Sequence, residues 1–184
     1  MHRALTLATA CAALTLLPLR PAAAAEAATD SPAPREPGRH SVVHREQAVI
    51  AAPAERIWDV LVDLPSYQDW NPWVLRADGE VRPGATVHVT VALGTHVMPA
   101  EHTVLVVEPN RRFCWRDAGW NASFVYGQRC RTLDPRADGT VLVTNELLLD
   151  GIFSSATDLV MGTALRKGLA AETRALELRA ESMH

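Results

Sequence analysis

Lysine is nearly absent from this chain: Lys167 stands alone among 18 basic residues, and all the others are arginine. The formal net charge is −3, and no basic cluster is interleaved with aromatics. That balance argues against nucleic acid or an anionic membrane surface as partner. No apolar run reaches the roughly 20 residues that a membrane span requires. The longest, residues 4–19, is interrupted by Pro18. A Gly-rich phosphate loop, a G-x-S-x-G elbow and an H-E-x-x-H pair are also missing. Cysteine is scarce, with three residues in 184. A domain of about 140 residues buries roughly two thirds of its unfolded surface, so its core needs neither metal nor disulfide.

The N-terminus has the layout of a secretory signal peptide. Met1-His2-Arg3 is cationic, residues 4–19 are apolar, and Ala22 to Ala25 offer A-x-A cleavage sites. Residues 1–25 are therefore expected to be removed, which leaves a secreted or periplasmic protein without a stable membrane span. Residues 26–40 are polar and rich in Pro and Ala, and read as a disordered leader. Residues 41–184 form one domain. Cys114 and Cys130 remain after cleavage. In an oxidising compartment an even pair invites a disulfide, while two separate buried thiols are the alternative.

Residues 40–50 are rich in β-branched side chains without helical spacing and predict a strand. Pro53 suits a helix start, and Ile57, Val60, Leu61 and Leu64 share one helical face, so residues 54–63 predict a short helix. Residues 65–70 predict a second short helix or turn. The period then changes to two, punctuated by Gly79, Pro83-Gly84, Gly94, Pro109-Asn110, Gly119 and Asp138-Gly139. Strands are expected at 72–78, 85–93, 97–108, 111–118, 123–133 and 140–150. Ser155 and Asp158 have capping-box spacing. Met161, Leu165, Leu169, Leu176 and Ala180 then line one face of a helix over 155–182, about 40 Å long. Its apolar stripe must be buried against a curved antiparallel sheet, and the space between them would suit a ligand. The fold class is α+β: a curved antiparallel sheet wrapped around a long C-terminal helix, with two short helices after the first strand.

Four segments carry a resemblance: IAAPAERIWDVLVDLPSYQDWNPWV (50–74), GEVRPGATVHVTV (79–91), TVLVVEPNRRFCW (103–115) and GTVLVTNELLLDGIF (139–153). With these the chain resembles the START-like, Bet v 1-like helix-grip (SRPBCC) proteins, and within them the bacterial polyketide cyclase/dehydrase-like group. Such proteins include lipid carriers, hormone receptors and cyclases, so fold does not by itself name the function. The resemblance implies a cavity for a small apolar ligand; an amphiphilic one is the alternative, and no cofactor is expected.

It also suggests which residues face inward: Phe113, Trp115 and Asp117 on one strand, Arg129, Arg131 and Leu133 on the next, and Val143, Asn145, Leu147 and Leu149 on the last. Leu165, Leu169, Glu172 and Leu176 follow from the long helix. Trp70 and Trp73, flanking Asn71-Pro72, would form one wall. Glu172 and Arg131 depart from the group's usual apolar and aromatic residues. Facing inward, they would require an ion pair, Glu172 with Arg131 or Arg129. Otherwise they reach solvent at the cavity mouth. The arginines could instead hold the carboxylate or phosphate head of a ligand. Cys114 and Cys130 would share the outer face of adjacent strands.

His88, His96 and His102 lack partners at metal-ligand spacing and read as edge or surface residues; no metal site is expected. His40 and His44 lie too far apart along a strand to share an ion. Asn121-Ala122-Ser123 matches a glycosylation sequon. The leading expectation is an exported binder or carrier, closed by the long helix and the segment around 65–73. A cyclase or dehydratase is the alternative, with Glu172, Arg131 and Asn145 as its acid/base candidates. An interaction module with a filled core is the third reading.

Overall fold

The computed structural model describes residues 33–118 and 124–183. The alternating segments form seven strands: β1 (Val42–Ile50), β2 (Val74–Gly79), β3 (Thr86–Leu93), β4 (His96–Glu108), β5 (Arg112–Asp117), β6 (Tyr126–Pro135) and β7 (Val141–Asp150). They make one antiparallel sheet in the order β1-β7-β6-β5-β4-β3-β2. Neighbours from β2 to β7 are consecutive in the chain, so short turns suffice to join them. The β4–β5 turn uses the expected Pro109-Asn110, with Asn110 at φ 61°, a conformation that Asn tolerates better than most residues.

Only the step from β1 to β2 crosses the whole sheet. It is filled by α1 (Ala54–Val62), a 3-10 turn at Leu64–Ser66 and α2 (Tyr67–Trp70). The predicted apolar face of α1 is buried, with Ile57, Val60 and Leu61 joined by Trp58. It packs into the main core with Phe113, Trp115, Leu133, Val143, Leu176 and Ala180. The 29-residue helix α3 (Ser154–Ser182) closes the domain, and none of the described helices is long and apolar enough to cross a membrane.

Three expectations need correction. Ser155 and Asp158 form no capping box: the residue preceding the helix is Phe153, without a side-chain cap. The Asp158 carboxylate instead lies 2.7 Å from His44 Nε2 on β1, while the Ser154 hydroxyl donates to the His40 carbonyl. Local spacing suggested a cap, but a tertiary partner took the acid. Next, β6 starts at Tyr126 rather than residue 123. Lastly, the leader is not uniformly loose. The Arg35 amide donates to Gln128 Oε1, its guanidinium contacts Asp150, and it stacks on Tyr126. One arginine with three partners holds the described part of the leader, from residue 33, to the sheet despite its composition. The signal-peptide expectation for residues 1–25, the rest of the leader to residue 32 and the sequon at 121–123 lie outside the described residues.

Cys114 and Cys130 are directly opposite each other in the β5–β6 register and are joined in a disulfide, with Cα atoms 4.2 Å apart. The bond packs with Leu105, on the sheet face opposite that of Phe113, Trp115, Arg129 and Arg131.

Candidate functional site: a cavity between the sheet and α3

The two halves of α3 meet the sheet differently. In the C-terminal half, Leu169, Glu172, Thr173, Leu176 and Ala180 are all buried. In the N-terminal half, Thr157, Met161 and Leu165 face a cavity of about 770 Å³. The opposite walls are Val91 and Leu93 on β3, Met98 to His102 on β4, Trp115 and Asp117 on β5, Arg129 on β6, and Leu147 and Leu149 on β7. Phe124 and Met98 are exposed at its rim, and the Phe124 ring lies 6.4 Å from that of Phe153. A more open depression of about 690 Å³ lies between the Pro65–Gln68 turn and Arg76, Asp78 and His88.

Trp73 forms one wall because of two local features. The Asn71 side chain accepts hydrogen bonds from the Trp73 and Val74 amides, at 3.0 and 2.8 Å, and so fixes the entry to β2. Gly168 of α3 then lets the indole lie directly on the helix: a Cβ there would stand 2.5 Å from the ring.

Behind the cavity lies a buried charged cluster. Glu172 Oε1 accepts from Arg131 Nε and Nη2 at 3.1 and 2.7 Å. Glu172 Oε2 is 2.8 Å from Arg129 Nη1. The Arg131 side chain is 0% exposed, and that of Glu172 is 1%. Burial pushes the Glu172 carboxyl up, but Arg129 and Arg131 outweigh it and hold it below the usual carboxylate range. Burial, reinforced by Arg131, lowers Arg129 to about 10. Burial raises Tyr67, whose hydroxyl donates to the Leu61 carbonyl, to about 12. The Arg129 guanidinium sits 4.4 Å over the Trp73 ring and that of Arg131 4.3 Å over Trp115, positions in which aromatic faces stabilise cations.

Of the residues expected to line the cavity, Trp73, Trp115, Asp117, Arg129, Leu147, Leu149 and Leu165 do so. The others are placed elsewhere. Phe113 and Leu176 are in the main core, Trp70 packs edge-on against Tyr67, and Leu169 is fully buried beneath Trp73. Arg131 and Glu172 lie behind the wall, committed to each other. Asn145 donates to the Thr173 hydroxyl at 3.1 Å. Alternation identifies a residue's face but not its depth along the strand, and these residues sit where α3 closes onto the sheet. Thus none of the three acid/base candidates, Glu172, Arg131 and Asn145, reaches the cavity. The arginine cluster also replaces the expectation that these charges reach solvent. Of the segment around 65–73, only Trp73 touches the cavity, so that segment is not the expected lid, whereas α3 does cover the cavity.

His102 is a correction in the other direction. It is not a surface histidine but is buried, stacked at 5.1 Å on Trp115 and lining the cavity. Its Nδ1 lies 3.1 Å from Asp117 Oδ1. The sequence signal was available: an even offset along β4 puts His102 on the same face as Val104. Among the described residues no three His, Cys, Asp or Glu side chains converge as a metal set.

Residues 41–181 match the family described as polyketide cyclase/dehydrase and lipid transport. The chain belongs to this family. Solved structures share its fold. The Zhui aromatase/cyclase from Streptomyces sp. R1128 superposes with a TM-score of 0.62 at 17% identity, covering 77% of this chain and 94% of that one. Norcoclaurine synthase from Thalictrum flavum, solved in complex with dopamine and hydroxybenzaldehyde, gives 0.60 at 15% identity over 78% and 89%. Ara h 8.0201 gives 0.61 at 12% over 78% and 99%. Identities this low establish the shared fold alone. Against curated proteins the sequence has no match.

Proposed function

We propose that this member of the polyketide cyclase/dehydrase and lipid transport family is an exported binder of a small apolar or amphiphilic molecule. The observation that carries the reading is the cavity of about 770 Å³ between the N-terminal half of α3 and the sheet, walled by Trp73, Trp115, Leu147 and Leu165. Enclosure is the mechanism. Each Å² of apolar ligand surface removed from water contributes about 25 cal/mol before ordering costs. The Cys114–Cys130 disulfide supports an oxidising destination. Native mass spectrometry of the exported protein, followed by solvent extraction, tests the proposal. A co-purifying small molecule on a chain lacking residues 1–25 supports it. A ligand-free mass together with no uptake of a neutral apolar dye sinks it in favour of an interaction module.

A second reading, an acid/base enzyme, is favoured by one observation: His102 in the cavity wall with Asp117 against its Nδ1. An imidazole beside a carboxylate in a cavity wall is a common acid/base arrangement. His102→Gln separates the readings. A carrier variant still loads ligand, whereas an enzyme variant loads it and loses turnover.

A further inference from the structure

The buried cluster contains two guanidiniums and one carboxylate, and its three members are not equivalent. Arg131 gives two donors to Glu172 Oε1 and is shut off from the cavity. Arg129 approaches Glu172 only through Nη1, and its Nε, like Arg131 Nη1, is buried without a hydrogen-bond partner. Its side chain is 6% exposed, yet it lines the cavity. Glu101, His102 and Asp117 are the other ionisable groups in that wall, so Arg129 is the one arginine or lysine among its described residues. A desolvated cation with an unmet donor is unfavourable until an anion meets it.

We infer that Arg129 is a subsite for the carboxylate of an amphiphilic ligand whose apolar body fills the rest of the cavity. This rests on the ligand-binding reading above. Arg131 and Glu172 act as a brace: they hold one edge of Arg129, while Trp73 and Trp115 hold its flat face. A side-on guanidinium edge matches a planar carboxylate. Charge count selects a monoanion. Two arginines and one glutamate leave one positive charge, and a dianionic phosphate monoester would overshoot it beside Asp117 and Glu101. Nothing in the wall favours a cationic head except those two partly exposed acids at the rim.

The test is displacement of Nile red from the purified protein by dodecanoate, dodecan-1-ol, dodecyl phosphate and dodecyltrimethylammonium, at about pH 8 where a carboxylate is ionised. Dodecanoate is expected to bind about 10- to 100-fold more tightly than the alcohol, the range for a hydrogen-bonded buried charge, and more tightly than the other two. Arg129→Met, which leaves Glu172 paired with Arg131, is expected to retain Nile red and lose the preference; Arg129→Lys is expected to keep part of it. Equal affinity for acid and alcohol, a preference for phosphate or ammonium, or a preference that survives in a folded Arg129→Met overturns the subsite. The wild-type comparison decides even if that variant does not fold. Failure of Nile red and every dodecyl compound to bind overturns the ligand cavity itself, and the subsite with it.

Discussion

The two halves of α3 carry one apolar stripe but meet different surroundings. Around Leu176 and Ala180, α1 supplies Ile57, Trp58 and Leu61, and the sheet supplies Phe113 and Val143; the space is filled. Around Met161 and Leu165, no second helix among the described residues comes between α3 and the sheet, and a cavity remains. The difference teaches that burial of a helix stripe is decided by the elements opposite it. The same spacing of Leu and Met stabilises the fold at one end and leaves a binding space at the other. The Glu172 cluster and Trp73 form the boundary between the halves.

The largest expected effect comes from that boundary. Glu172→Gln leaves two buried guanidiniums without their counter-charge and is expected to destabilise by about 3–5 kcal/mol, read by denaturant titration. The pH dependence follows from the same group. Its carboxyl is held below the ordinary range in the folded state, so its stabilisation is present above the unfolded Glu value of about 4.3 and is lost as pH falls through the lower folded value. The wild-type midpoint should therefore fall on acidification below about pH 4 more steeply than that of Glu172→Gln.

Leu176→Ala tests the filled half. It should cost about 2–5 kcal/mol, as for other buried leucines. Opening the Cys114–Cys130 bond, whose ends are 16 apart in sequence, should cost about 3 kcal/mol. Because the bond is on the far sheet face, uptake of a neutral apolar dye should be unchanged in the folded reduced protein. Gly168→Ala drives a methyl into the Trp73 indole and should cost about 1–3 kcal/mol, with a change in tryptophan fluorescence and in dye affinity. Leu165→Ala should cost least, under about 1 kcal/mol, because the side chain borders space that is already open. It should instead alter ligand preference. If Leu165→Ala destabilised as much as Leu176→Ala, the two halves would be packed alike and the comparison would fail.

How legible all this was varies with the range of the cause. The α+β class, the order of strands, the buried face of α1 and the extent of α3 could be read from Ile57, Val60 and Leu61 at helical spacing and from the period-two segments. They depend on contacts within a few residues or between chain neighbours. Inward-facing Leu165 was legible for the same reason, and Trp115, Arg129 and Leu147 through the family resemblance. Three kinds of feature were not. Depth along a strand put Phe113, Arg131 and Asn145 behind the cavity wall rather than in it. A distant partner turned Asp158 from a cap into a contact for His44, and Arg35 from a free leader residue into an anchor on β6 and β7. Side-chain stacking converted His102 from an edge residue into part of the wall.

Local pattern thus determined which elements exist and which side of each turns inward, because alternation and helical period are properties of neighbouring residues. Tertiary structure alone decided where the interior is filled and where it is open, and which of two inward arginines faces the space. Both outcomes depend on where α1 and Trp73 stop along α3, a distance set by elements remote in the chain.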